Sequence, residues 1–292
     1  MSTGLSRRYI WLVALLAATL VFAGCGKEED EPTSESGAAP GESCAKEDLP
    51  LYEPGQLTVG TDKPAFPPWF EDNDPTNGEG YESAVAYALA EEMGFTEDEV
   101  EWTVVPFNKS YAPGSKDFDF DINQVSISEK RDQAVDFSDG YYDVSQALVA
   151  LKDSAAAGTS TLDELAALKL GAQVGTTSLD SIVEQVQPEE KPFIYDNTND
   201  AKSALEAGQI DGIVVDLDTA FYIRDVEIPG SVVVGQFPTT SAQSEQFGLL
   251  FEDGNPLVDC VNEALATLKE NGTLDQLEQQ WLSDKVDAPV FE

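Results

Sequence analysis

Short apolar runs closed by Gly, Pro or Asp alternate along this chain with stretches whose apolar residues fall at helical spacing. The short runs read as strands: Gln56–Thr61, Val100–Pro106, Phe120 to Val125, Gln146–Leu151, the run opening at Lys169, Gly208–Asp216 and Gln246–Phe251. The others read as helices. Over Gly80–Gly94, the side chains of Val85, Ala88, Leu89 and Met93 share one face and Gly94 supplies the stop. Asp200–Ala207, Pro256–Lys269 and a last turn with Leu274, Leu277 and Trp281 repeat the pattern, and Leu162–Leu165 makes a single helical turn. Strands alternating with helices place the chain in the α/β class. Their order predicts one array in 55–142, interrupted by a second in 143–240 and resumed by 241–292.

Ahead of these arrays the pattern changes twice. Arg7 and Arg8 precede an apolar run, Tyr9–Ala23, which is too short and wrongly flanked for a membrane span and typical of a secretory leader. It ends Leu20-Val-Phe-Ala-Gly-Cys25, which resembles the bacterial lipobox with Phe22 in place of the usual Leu. The resemblance implies a leader of 1–24 and a lipid, palmitate included, on Cys25; the competing reading is ordinary cleavage with Cys25 left free. Residues 25–54 then form a lipid-anchored tether and N-terminal arm, because Gly26–Glu42 holds almost no apolar side chain and cannot repay the entropy of ordering. With Cys25 spent on lipid, Cys44 and Cys260 remain. In an exported protein that even remainder favours a disulfide clamping the arm to the C-terminal helix. The alternative makes Cys260 a buried hydrophobe beside Leu257, Val261, Leu265 and Leu268.

Composition narrows the chemistry. The hydrophobic content of 41% over 292 residues is that of a globular chain. Its 16 Lys plus Arg against 55 Asp plus Glu give a net charge of −39, a field that repels nucleic acid and anionic headgroups and suits a saline medium. The chain has no histidine, which removes His-activated nucleophiles, His metal sites and the usual neutral-pH base. No cofactor and no metal are expected.

The candidate chemistry lies in Asp119–Tyr142. A short apolar strand there empties into Ser126 and Ser128, at the edge where open α/β sheets place ligands, and Arg131 follows within one helical turn. Arginine at that place can grip a carboxylate bidentately, although Asp132 or Asp136 could equally pair it on the surface. The Ser-Ile-Ser-x-x-Arg core followed by Val-Asp-Phe-Ser-x-x-Tyr resembles the signature of the amino-acid-binding receptors of ABC importers, extracellular solute-binding protein family 3. Gly80-Tyr81 to Met93-Gly94, with Ala84 replacing a common acid, and Gly272-Thr-Leu are also similar to family elements. So are Thr61-Asp62 with Phe66-Pro-Pro-Trp69, Gly175-Thr-Thr177 and Gly208-Gln-Ile-Asp-Gly-Ile-Val-Val-Asp216.

The resemblance implies a two-lobed, periplasmic-binding-protein-like (type II) fold with two hinge crossovers, closing on an amino acid. Arg131 would take the ligand's carboxylate, opposed by Thr177, and Asp216 its ammonium, with Asp218 close enough to be confused with it. Phe66 first and Trp69 second would form an aromatic wall; Gln124 and Ser126 complete the set, with Phe107 as a further wall. Asp62 matches a position that contacts basic or amide side chains, which favours a polar or basic ligand. The implied protein is a monomer outside the cytoplasm, held to the membrane by lipid, delivering its ligand to an ABC permease and ATPase. It is not an enzyme; the alternative is a cyclohexadienyl- or prephenate-type dehydratase on the same scaffold.

Overall fold

The computed structural model describes residues 43–239, 245–282 and 288–292. The leader, Cys25 and the tether up to residue 42 lie outside the described residues.

In chain order the first lobe contributes β1 (Leu57–Thr61), α1 (Tyr81–Glu92), β2 (Val100–Val104), a single turn α2 (Phe107–Ser110), β3 (Phe120–Asp121) and β4 (Val135–Phe137). The chain leaves through β5 (Tyr142–Val144) into β6 (Gln146–Leu151), α3 (Leu162–Leu165), β7 (Leu170–Gln173), α4 (Thr177–Ser181) and β8 (Phe193–Tyr195). Then come α5 (Thr198–Glu206), β9 (Gly212–Asp216), α6 (Leu217–Tyr222) and β10 (Ser231–Gln236). It returns through β11 (Glu245–Phe247) to β12 (Leu250–Glu252), α7 (Leu257–Glu270) and α8 (Thr273–Trp281). Gln246–Phe251 is therefore two strands. They part at Gly248, where a Cβ would lie 2.8 Å from Ile127.

Each lobe holds one sheet. The first has the order β2-β1-β3-β12-β4, with β1 parallel to β2 and β3 and with β12 antiparallel to β3 and β4. The second has the order β10-β6-β9-β7-β8, where β7 runs parallel to β8 and β9, and β6 antiparallel to β9 and β10. The two crossovers β5 and β11 pair with each other, Tyr142 opposite Phe247 and Val144 opposite Glu245. A hinge made of two short adjacent strands can twist without breaking either core.

Alternation explains the second lobe. Along β6 and β9, Val149, Ile213 and Val215 enter one apolar cluster while Leu148, Ala150 and Val214 enter another, so both sheet faces are covered. In the first lobe, α1 is buried through Tyr81, Val85, Ala86, Leu89 and Ala90, and shares its cluster with Val261, Leu265, Leu268 and Leu274 of α7 and α8. Each buried Val or Leu among them contributes about 1.5–3 kcal/mol by leaving water. Cys44 is bonded to Cys260 on α7, and Cys260 is also buried, so pairing and packing coexist.

One boundary differs from the sequence reading, which gave all of 241–292 to the first lobe. Residues 288–292 lie on the second. Gln236 N–H donates to Pro289 O at 2.8 Å, Phe291 N–H to Gln236 O at 3.0 Å, and the Phe291 ring packs on Phe237 with centroids 5.5 Å apart. An apolar ring and free backbone groups on the edge strand β10 are the reason.

Candidate functional site

The residues of interest sit where strands end. Asp62 follows β1, Asn123 and Gln124 follow β3, Thr177 opens α4 beyond β7, and Asp216 closes β9; all line one cleft between the lobes, of about 60 Å³. Carboxyl ends of strands are where such sheets gather ligand groups.

Arg131 is drawn inward rather than to Asp132 or Asp136. Ser128 starts the turn by accepting from Arg131 N–H at 3.0 Å through its carbonyl. The guanidinium then donates from Nη1 to Ser126 O at 2.6 Å and from Nη2 to Gly175 O, on the other lobe, at 3.0 Å. Phe107 and Tyr111 flank it with ring centroids 5.6 and 5.0 Å from Cζ, a cation–π setting. Burial lowers its pKa from the ordinary value, with Tyr111 first and then the acids Glu245, Asp180 and Asp216 opposing the shift. Three of the five N–H donors remain beyond these two bonds, enough for a carboxylate.

Across the cleft, the Thr177 hydroxyl lies 3.3 Å from Ser126 Oγ and accepts from Gln146 Nε2 at 3.2 Å. The cap of α4 is neither Thr177 nor Ser178 but Thr176, whose Oγ1 accepts from Leu179 N–H at 3.2 Å and so leaves the Thr177 hydroxyl to the cleft. Gln146 also donates to Asp216 Oδ1 at 2.8 Å. Burial first, and then the charges of Glu245 and Asp218, push the Asp216 carboxyl up to about 8 against that hydrogen bond. An acid held this way is one that a cation would ionise. Asp218 is engaged elsewhere, receiving Tyr142 O–H at 2.6 Å.

Phe66 lines the cleft; Trp69 does not. Trp69 is fully buried, donates from Nε1 to Thr219 Oγ1 at 3.0 Å, and stands edge-on to Tyr81, Tyr142 and Phe247 at centroid distances of 6.1, 5.5 and 5.4 Å. Its place among hinge aromatics makes it a packing residue, which corrects its assignment to the wall. Phe70 is likewise fully buried. Gln124 holds a left-handed φ of 48°, and its backbone N–H donates to Glu82 Oε1 at 2.7 Å while its amide donates to Oε2. Tyr141 O–H also donates to Glu82, a fully buried acid that desolvation raises to about 7. Sequence reading missed Glu82 and Gln146, which support the site from behind, and Asn123, Lys202 and Glu227, which line it. The only signal for Asn123 was its adjacency to Gln124.

The family model for bacterial extracellular solute-binding proteins, family 3, matches residues 57–284. The chain belongs to that family. It is 27% identical over 279 residues to the arginine-binding extracellular protein ArtP of Bacillus subtilis, covering 94% of this chain and 98% of that protein. It is 28% identical over 294 residues to the L-cystine-binding protein TcyA of the same organism, covering 95% and 97%. A solved structure of an ancestral arginine-binding protein bound to glutamine superposes with a TM-score of 0.67 at 31% identity, covering 80% of this chain and all of that one. The two-lobed type II architecture is the fold of this family. No described helix is long and apolar enough to cross a membrane.

Proposed function

We propose that this protein captures an amino acid with a polar or basic side chain between its lobes and delivers it to an ABC permease and ATPase, held to the outer face of the membrane by lipid on Cys25. The observation carrying this reading is the opposed pair in one cleft, the buried Arg131 guanidinium and the Asp216 carboxyl. A zwitterion entering a low-dielectric cleft needs an opposite charge at each end. Arg131 and Thr177 receive the carboxylate, Asp216 the ammonium, with Phe66 as the wall and Gln124, Ser126 and Asp62 as polar lining. Relatives named for arginine and cystine binding support the class of ligand.

The test is a thermal-shift screen against the common L-amino acids, repeated with Arg131→Ala. One or a few ligands should raise the melting temperature of the wild type by mass action, and none that of the variant. The dehydratase alternative draws on one observation, that Asp216 keeps its proton near neutrality and could serve as a general acid. Stabilisation by prephenate-like carboxylates alone, with turnover, would move that alternative to the front.

A further inference from the structure

The cleft has a second polar end that the two α-group anchors do not use. Asp62 and Asn123 stand side by side on its first-lobe floor, because β1 and β3 run parallel with Gly60 opposite Asp121, and the pairing continues as Ile122 N–H donates to Gly60 O at 2.9 Å. From the second lobe, Lys202 on α5 and Glu227 beyond α6 line the same cleft, with Lys202 Nζ donating to Glu227 Oε1 at 2.6 Å. Phe66 closes the space between the lobes, its ring centroid 5.3 Å from Lys202 Nζ.

Two features of this end point to a ligand. The Lys202 side chain is only 10% exposed, and Glu227 engages one of its three N–H donors. Asn123, a lining residue of the cleft, is 6% exposed, and its Nδ2 is buried with no hydrogen-bond partner among the described residues. Buried donors without partners are costly, so a group that accepts from them gains more there than in water. Asp62, part-buried and raised from its ordinary pKa by desolvation, offers the complementary acceptor.

We propose that Lys202 and Asn123 make the cleft selective for amino acids whose side chain ends in an oxygen acceptor beside an N–H donor, the oxygen received by Lys202 and Asn123 and the N–H by Asp62. The inference rests on the receptor reading and narrows it to the polar side of the polar-or-basic class. A guanidinium or ammonium only donates: it would leave the Asn123 Nδ2 unpaired, its Oδ1 alone being able to accept, and bring a second positive charge beside Lys202 at low dielectric. The chemistry has two sources, the carboxamide of glutamine and the second amino-acid end of cystine, whose far carboxylate and ammonium repeat the same pairing.

Isothermal titration of the full chain with L-glutamine, L-cystine, L-arginine, L-lysine and L-leucine tests it. Glutamine or cystine should bind at least about tenfold more tightly than arginine, lysine or leucine, and Lys202→Met and Asn123→Ala should each cut that margin by roughly tenfold. Which of the two binds better tells whether the oxygen belongs to a carboxamide or to a second α-carboxylate. Arginine, lysine or leucine binding as tightly as both overturns the inference while leaving the receptor reading standing. So do folded variants, checked by circular dichroism, that both keep the wild-type margin. Failure of every amino acid to bind the wild type removes the receptor reading, and this inference with it.

Discussion

Desolvation holds the Asp216 carboxyl protonated up to about 8 and that of Glu82 up to about 7, against ordinary values of 3.8 and 4.5. Between the unfolded and folded pKa values the folded chain binds more protons than the unfolded one. The stability these two groups confer is therefore complete below about pH 4 and lost as pH rises through 7 to 8. A ligand ammonium acts in the opposite sense, because it favours the ionised Asp216 and must displace its proton. Affinity should rise with pH by up to tenfold per unit until about 8, with proton release on binding. Titrations in buffers of different ionisation enthalpy measure that release; Asp216→Asn should abolish it. That Arg131, Thr177 and Asp216 line one cleft was legible in the sequence because each closes a short motif beside a strand end. Lys202 was not. It is one lysine on a polar helix until α5 is set against the cleft, and likewise nothing in Phe66-Pro-Pro-Trp69 says which ring faces out.

Elements meet across the cleft with little room to spare. Gly175, at φ 75°, has no space for a Cβ: one placed there would stand 2.2 Å from the Tyr111 hydroxyl on α2's C-terminal side. Gly175→Ala should therefore weaken ligand binding by roughly tenfold or more through strain in the closed arrangement, and Tyr111→Phe added to it should restore most of the loss. Calorimetry of the single and double variants would expose a merely local effect, which the second change leaves untouched. The Cys44–Cys260 bond ties the N-terminal arm to α7 across a sequence separation of 216, and replacing both by serine should cost about 2–5 kcal/mol in denaturant unfolding. The main helices were legible from their spacing, since α1 and α7 keep apolar residues on the faces that meet. The split between β11 and β12 was not, because it depends on what packs over Gly248.

For the whole molecule, closure is a set of small bonds between lobes: Arg131 to Gly175, Ser126 to Thr177, Trp69 to Thr219 and Tyr142 to Asp218. Such bonds are individually weak, so the balance of open and closed forms rests on what the ligand adds to both faces at once. The two-lobed plan was legible from the order of arrays, whereas the final residues crossing to the second lobe were not, since an apolar Phe291 carries no address in sequence. That tail changes the mechanics. A pair of adjacent strands is a hinge pin, and a third link fastened away from the pin acts as a limit stop. Residues 288–292 sit beside β10, whereas α8, earlier in the chain, packs on the first lobe, so the chain passes between the lobes a third time. Removing 288–292 should let the ligand-free protein swing wider, seen as a larger radius of gyration in solution scattering; an unchanged radius would show that the link is slack. With residues 288–292 held beside β10, each capture stroke must move three crossings between the lobes together rather than two.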